Sequence, residues 1–274
     1  MVSSRPVRRD RPYYCDHVSF HAMNPANPAR KDAGDALVGK VAVVTGASRG
    51  IGRAIANAFV EARCTVIAAS RTMSAARKKS ASRPPKSDTR LPIIEIRCDV
   101  RDEGSVALLF ATVRSQFDHV DILINNAGTA HPLQNIQDMP LEIWRKVLDT
   151  NLTGMFLCTQ AALPLMRTGG VIVNNLSVAA RGVFPGESAY CASKHGALGF
   201  TDTLRAEVRG RGIRVISLLP GPTATDIWDQ FMPEAPRDKM MSPETVARAV
   251  IAAITLPENA TVEELRLGPT AGNL

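Results

Sequence analysis

From position 39 onward the chain alternates between short unbroken apolar runs and longer stretches in which apolar residues recur every three or four positions. Residues 40–45 form the first run, closed by glycines, and 65–69, 93–96, 120–124, 171–174 and 213–218 are further runs of the same kind. Runs this short, apolar throughout, belong to strands buried on both faces, as in parallel sheets. Between them, helical spacing is read over 53–61, with Ile55, Ala58 and Phe59 inward, and over 105–117, 152–166 and 189–209. Strand and helix alternate without internal repeats or a break. The economical architecture is one α/β domain over 38–274, a doubly wound parallel sheet with helices on both faces in three layers.

Two stretches fall outside the pattern. Residues 1–37 hold Pro6, Pro12, Pro25, Pro28 and Gly34 with no periodicity, which reads as a disordered extension. Asp10, Asp16, Asp32 and Asp35 interrupt its basic character and argue against a transit peptide, and Met23 is an alternative start. The connection 71–90 should hold a helix by alternation, but Pro84, Pro85 and four serines leave room for a short one, and mobility is expected. That connection carries seven basic residues against Asp88 alone, so most of the chain's +7 charge sits there. A nucleic-acid surface would spread its charge along a face or a helix, so that partner is set aside.

Composition adds little beyond exclusions. With 45% apolar and 22% charged residues the balance is that of an ordinary globular protein. No run approaches the ~18–20 apolar residues of a membrane span. The five cysteines (Cys15, Cys64, Cys98, Cys158, Cys191) are scattered, without a CxxC pair, and suit packing in a reducing, cytoplasmic compartment. His131 and His195 are isolated, so no metal site is expected.

Thr45-Gly46-Ala47-Ser48-Arg49-Gly50-Ile51-Gly52 leaves the first strand and opens the first helix. Backbone amides at a helix N-terminus attract phosphate, and glycine allows a pyrophosphate to come close. Together with Asn125-Asn126-Ala127-Gly128, Asn151, Ser177, Tyr190-Cys191-Ala192-Ser193-Lys194 and Pro220-Gly221, in that order, this resembles the short-chain dehydrogenase/reductase family over about 40–267. The resemblance implies a Rossmann-type sheet of about seven strands. It sets Asp99 and Val100 against an adenine, and Asn126, Ala127 and Gly128 beside the adenosine ribose. It puts Pro220, Gly221, Thr223 and Thr225 over a nicotinamide. Gly46, Ser48, Arg49, Gly50, Ile51 and Gly52 form the phosphate turn.

Charge decides which nicotinamide cofactor is expected. Enzymes that use NAD place a carboxylate at the end of the second strand, on the ribose 2′-hydroxyl. Here that strand ends Ala68-Ala69-Ser70-Arg71, so an acid is missing and a cation follows. Arg49 would reach the same 2′-phosphate from the glycine turn, as the family's NADP members do. A charge-assisted bond is worth ~1.5–3 kcal/mol, and the expected cofactor is NADP(H).

Tyr190 and Lys194 lie four apart at the start of a helix and share one face. A tyrosine with pKa near ~10 needs about 4 kcal/mol to move down ~3 units. An ammonium ~4–5 Å away at an effective dielectric of ~20 supplies roughly 3–4 kcal/mol, and the helix N-terminus adds ~0.3–1. By resemblance Tyr190 is the acid/base, and Ser177 holds the substrate oxygen against it. Lys194 also binds the nicotinamide ribose, and Asn151, at a helix bend, holds a water linking Lys194 to solvent.

The expected activity is reduction of a small, apolar ketone or aldehyde, or oxidation of the corresponding alcohol. The pocket is assigned to 129–133, 178–187 and 226–241, the last an apolar lid carrying Trp228, Phe231 and Met232. A 3-oxoacyl-carrier-protein reductase is the alternative. Against it stand the C-terminal run from Val262 to Gly272, where such enzymes end in a Gly-rich segment, and Leu157, near where they carry an arginine. A non-catalytic NADP sensor would be suggested by a broken tetrad, and Asn151, Ser177, Tyr190 and Lys194 are all present. Sugar-nucleotide epimerases share YxxxK but differ in glycine spacing. The helices 152–166 and 189–209 are expected to pair between subunits, giving a homo-oligomer, dimer or tetramer.

Overall fold

The structure, a computed structural model, describes residues 35–72 and 93–272. The expected extension, up to residue 34, and most of the basic connection lie outside the described residues. Seven strands form one sheet in the order β3-β2-β1-β4-β5-β6-β7, with every pair parallel. They are β1 Val41–Thr45, β2 Thr65–Ser70, β3 Ile94–Arg97, β4 Val120–Asn125, β5 Met166–Asn175, β6 Arg214–Pro220 and β7 Glu264–Leu267. The helices are α1 Gly50–Glu61, α2 Glu103–Phe117, α3 Leu141–Leu148, α4 Gly154–Ala162, α5 Ser188–Val208, α6 Trp228–Phe231 and α7 Pro243–Ile254.

Alternation along β1 shows why the domain needs three layers. Val41 and Val43 pack into the apolar cluster under α2, α4 and α5, whereas Ala42 and Val44 pack into the cluster under α1 and α7. All five β1 residues are buried, as a two-sided sheet requires. Side chains set several helix starts. Asp102 accepts the Ser105 amide at 2.6 Å to open α2, and Ser242 accepts the Thr245 amide at 3.1 Å before Pro243 opens α7.

The order in which strands are added reverses between β1 and β4, the first strands of its two halves, while all strands stay parallel. In open α/β sheets the crevice at that switch point, beyond the carboxyl ends of the strands, receives ligands.

One expected helix breaks up. The stretch read as 152–166 is a π-helical turn over Asp149–Thr153, then α4, then a 3-10 turn over Leu163–Leu165, and Met166 already belongs to β5. Pro164 lacks the amide that would continue the α-helix and forces its ending. Among the described residues no helix is long and apolar enough to cross a membrane.

Candidate active site

A cleft of about 1480 Å³ opens at the switch point. Its glycine turn is fixed by its neighbours. Thr45 Oγ1 accepts the amides of Asn126 and Ala127 at 2.9 and 3.0 Å, and Asn126 Nδ2 donates to the Thr45 and Gly46 carbonyls at 2.9 and 3.2 Å. Gly46 has φ +65°, and a Cβ there would lie 2.8 Å from Ala127 Cα. A Cβ on Gly52 would lie 2.2 Å from Asn126 Nδ2. These glycines let the ends of β1 and β4 close on each other, leaving the amides at the start of α1 facing the cleft.

Every cofactor residue expected from the sequence lines this cleft except Gly52, which packs beneath it. One end of the cleft is lined by Ser70, Arg71, Asp99 and Val100, the residues expected to meet the adenosine, and also by Arg97 and Arg101, which sequence reasoning missed. Arg101 binds Asp99 at 2.6 Å, and this hydrogen bond holds the Asp99 carboxyl below its ordinary range. Among the described residues the guanidiniums of Arg71 and Arg97 have no hydrogen-bonding partner. Arg49 instead reaches across the groove to Asp226 at 3.0 Å. Both members are more than half exposed, and such a pair is worth ~0–1 kcal/mol.

The other end gathers Ser177, Tyr190 and Lys194. Ser177, after β5, accepts the Ala179 amide at 3.1 Å and donates toward the Tyr190 phenol. Lys194 is buried, gives its Nζ proton to the Asn175 carbonyl at 3.0 Å, and stands 5.5 Å from the Tyr190 ring centre. Burial governs both titrations. It pushes the Tyr190 phenol up, opposed by the Ser177 hydrogen bond, and lowers Lys194 to about 8. The net lowering of Tyr190 expected from Lys194 therefore does not emerge, because desolvation of the phenolate outweighs it.

Asn151 falls at the expected bend, which is the π-helical turn. Its amide is fully used. Oδ1 accepts the Thr129 amide at 2.8 Å, and Nδ2 donates to the Thr129 carbonyl and to Ser193 Oγ. Ser193 Oγ passes its proton to the Tyr190 carbonyl at 2.7 Å. The side chain thus braces the start of α5 through both Nδ2 hydrogens. Ser193, in the middle of the YxxxK motif, was not singled out from the sequence.

The expected pocket loops divide. Residues 178–187 contribute Val178, Ala179, Phe184 and Glu187, and the lid contributes Trp228, Phe231 and Met232. Phe231 meets the Tyr190 ring edge to face at 4.8 Å. Residues 129–133 do not line the cleft. Thr129, Ala130 and His131 are buried, and Thr129 Oγ1 and the Ala130 amide both donate to Gln230 Oε1, tying this loop to the lid. No group of three potential metal ligands occurs among the described residues.

Residues 40–235 match the family model of the short chain dehydrogenases. The chain is 35% identical over 242 residues to a farnesol dehydrogenase of Aedes aegypti, covering 86% of this chain and 98% of that protein. It is also 35% identical over 237 residues to a 3-oxoacyl-[acyl-carrier-protein] reductase of Synechocystis, covering 83% and 94%. Among solved structures, the alcohol dehydrogenase from the archaeon Thermococcus sibiricus complexed with 5-hydroxy-NADP has a TM-score of 0.76 at 28% identity, covering 86% of this chain and 98% of that one.

Proposed function

Because the chain belongs to the short chain dehydrogenase family, whose members here are oxidoreductases acting on CH–OH groups, we propose that it is an NADP(H)-dependent carbonyl reductase or alcohol dehydrogenase of small molecules. The observation that carries the reading is a single cleft with Ser177, Tyr190 and Lys194 at one end and, at the other, Arg71 and Arg97, whose guanidiniums have no hydrogen-bonding partner among the described residues. Its volume exceeds the ~300–1,000 Å³ of an ordinary small-molecule pocket, as a dinucleotide beside a substrate requires. The glycine turn and Asn126 would hold the pyrophosphate and adenosine, and Arg71 with Arg97 a 2′-phosphate. Arg49 joins them at little cost by leaving Asp226. Lys194 would hold the nicotinamide ribose, under Pro220, Gly221, Thr223 and Thr225. When bound, the cofactor supplies or takes up the hydride.

The chain's own residues manage the proton. Ser177 donates a hydrogen bond to the carbonyl oxygen, and Tyr190 gives that oxygen its proton. Burial keeps Tyr190 protonated, the form that can act as the acid in reduction. The Lys194 ammonium offsets the phenolate left behind, and Asn151 with Ser193 keeps the first turn of α5 in place. Phe231 and Trp228 shield the reacting atoms from water.

Loss of NADPH absorbance with a panel of ketones, aldehydes and a 3-oxoacyl thioester tests this. We expect turnover of ketones that Tyr190→Phe lowers by ~10² or more in kcat while NADPH still binds. Turnover confined to the thioester would favour the carrier-protein reading suggested by the Synechocystis relative. NADPH binding without turnover of any compound would leave a sensor.

A further inference from the structure

Glu187 stands at the substrate end of the cleft, with Phe184 before it and Tyr190 one turn later. Its backbone is fixed: its amide donates to the Phe184 carbonyl at 3.1 Å, and its carbonyl accepts the Cys191 amide at 2.8 Å. It occupies the N-cap position of α5, yet its side chain makes no capping bond. Its carboxylate has no hydrogen bond or ion pair among the described residues. The other ionisable groups lining this part of the cleft are Tyr190 and, one turn further on the same helix, Lys194, with Lys239 and Asp226 from the lid segment. Cys191 adjoins Tyr190 outside the lining, and none of these side chains bonds to Glu187.

An acid in that position is chemically conspicuous. The segments that line this end of the cleft contribute a largely apolar set, Val178, Ala179, Phe184, Trp228, Phe231 and Met232, beside Gln230, Asp226 and Lys239. Glu187 is half-buried, and the desolvation this brings pushes its carboxyl up to about 7. A helix N-terminus acts in the other direction, since it favours an acid's charged form. An unpaired carboxylate facing an apolar chamber costs stability unless a donor completes it, and the open side of the chamber is where the substrate enters. We propose that Glu187 is the specificity-determining residue of this cleft, receiving a hydrogen-bond-donating group of the substrate, so that the preferred carbonyl compound or alcohol has an apolar body and an ammonium or hydroxyl group distal to the reacting carbon. This rests on the oxidoreductase reading above and narrows its substrate class. A plain apolar ketone fills the chamber but leaves the acid without a partner; an ammonium gives it a charge-assisted bond.

The test uses the full chain with NADPH and acetophenones bearing methyl, hydroxymethyl or aminomethyl at the meta or para position. At pH 8 we expect wild-type kcat/KM at least 10-fold higher for an aminomethyl or hydroxymethyl compound than for its methyl counterpart. The arm with the larger preference identifies the donor. Glu187→Gln should reverse that order, lowering the donor-bearing substrates and raising the methyl ones. Equal losses across all three, or an unchanged order, overturn the proposal. Binding of benzylamine, read by thermal shift on wild type and Glu187→Gln, separates the two failures. If no ketone is turned over, the oxidoreductase reading falls, and a shift lost in the variant still supports Glu187 as the acceptor. No shift in wild type overturns it. Stability supplies a second readout. The raised folded-state pKa means that ionising Glu187 costs stability as pH rises from about 4.5, its ordinary value, through about 7. Glu187→Gln should therefore melt higher than wild type at pH 8 and converge with it near pH 5. A lower melting point at pH 8 would make Glu187 a helix-stabilising acid and overturn the proposal.

Discussion

Arg71 and Arg97 lie side by side at the carboxyl ends of β2 and β3, where Ser70 is in register with Arg97. Both line the cleft, and no carboxylate among the described residues hydrogen-bonds either. Asp99 is nearby, but Arg101 has already taken it. A dianionic phosphate answers this imbalance better than a ribose hydroxyl does, since charge-assisted bonds are about twice as strong as neutral ones. Arg71→Ala should accordingly weaken NADPH by ~10-fold or more, about one charge-assisted bond, and leave NADH nearly unchanged. Titration of intrinsic fluorescence with each cofactor checks it. Equal losses for both would make Arg71 structural. The sequence pointed to Arg71 because it follows a recognisable strand end. Arg97 and Arg101 escaped notice because their relevance depends on β3 pairing with β2, which no local pattern announces.

At the scale of elements, the turn between β1 and α1 depends on atoms that only glycine spares. A methyl at Gly52 would meet Asn126 Nδ2 at 2.2 Å and the Gly46 carbonyl at 2.6 Å. Asn126 is not free to move, because its amide already bonds Thr45, Gly46 and Asn175. Gly52→Ala should thus cost about 3 kcal/mol, the upper range for overpacking, and lower Tm by on the order of 5–10 °C for a domain of this size. It should weaken both nicotinamide cofactors together. An unchanged Tm would mean that the turn accommodates a side chain. The same elements show what is legible locally. The five inner strands were readable because each carries a run buried on both faces and so apolar at nearly every position, and edge strand β3 was readable from Ile93, Ile94 and Ile96 although it is only half-buried. β7 was not, since it is an edge strand whose residues alternate between exposed and half-buried. Helix α3 escaped because Val147 is its only buried residue. Glu187 fell inside a loop correctly assigned to the pocket, but its significance lies in lacking a partner, which a sequence cannot display.

For the whole molecule, the unexplained feature is the outer face of α5. Ala192, Gly196, Gly199, Thr203 and Glu207 lie close to one stripe of this helix, small at one end, and are all exposed. Beside it, Phe156 of α4 keeps 41% of its surface exposed while its ring edge contacts Phe200 at 6.3 Å. On and beside α4, Met155 and Thr159 are buried in the subunit, leaving Leu152, Phe156 and Leu163 for a partner. We propose that α4 and α5 pair with the same helices of a second copy, an arrangement in which small residues permit close approach and Phe156 is covered. Gly199 makes the idea testable, because a Cβ there meets nothing within 4 Å inside the subunit. In an isolated chain Gly199→Ala would be stabilising by ~0.8–1 kcal/mol through helix propensity alone. A longer side chain, as in Gly199→Gln, would be equally harmless there but would wedge two closely packed helices apart. Light scattering on the purified wild type should give the mass of two or four chains of 29.5 kDa each. Gly199→Gln should move that mass toward one chain while far-ultraviolet circular dichroism stays the same. Because Tyr190 lies on α5, the dissociated form should also lose turnover in parallel with its mass. A wild-type monomer at micromolar concentration, or a Gly199→Gln oligomer as stable as wild type, would overturn the pairing.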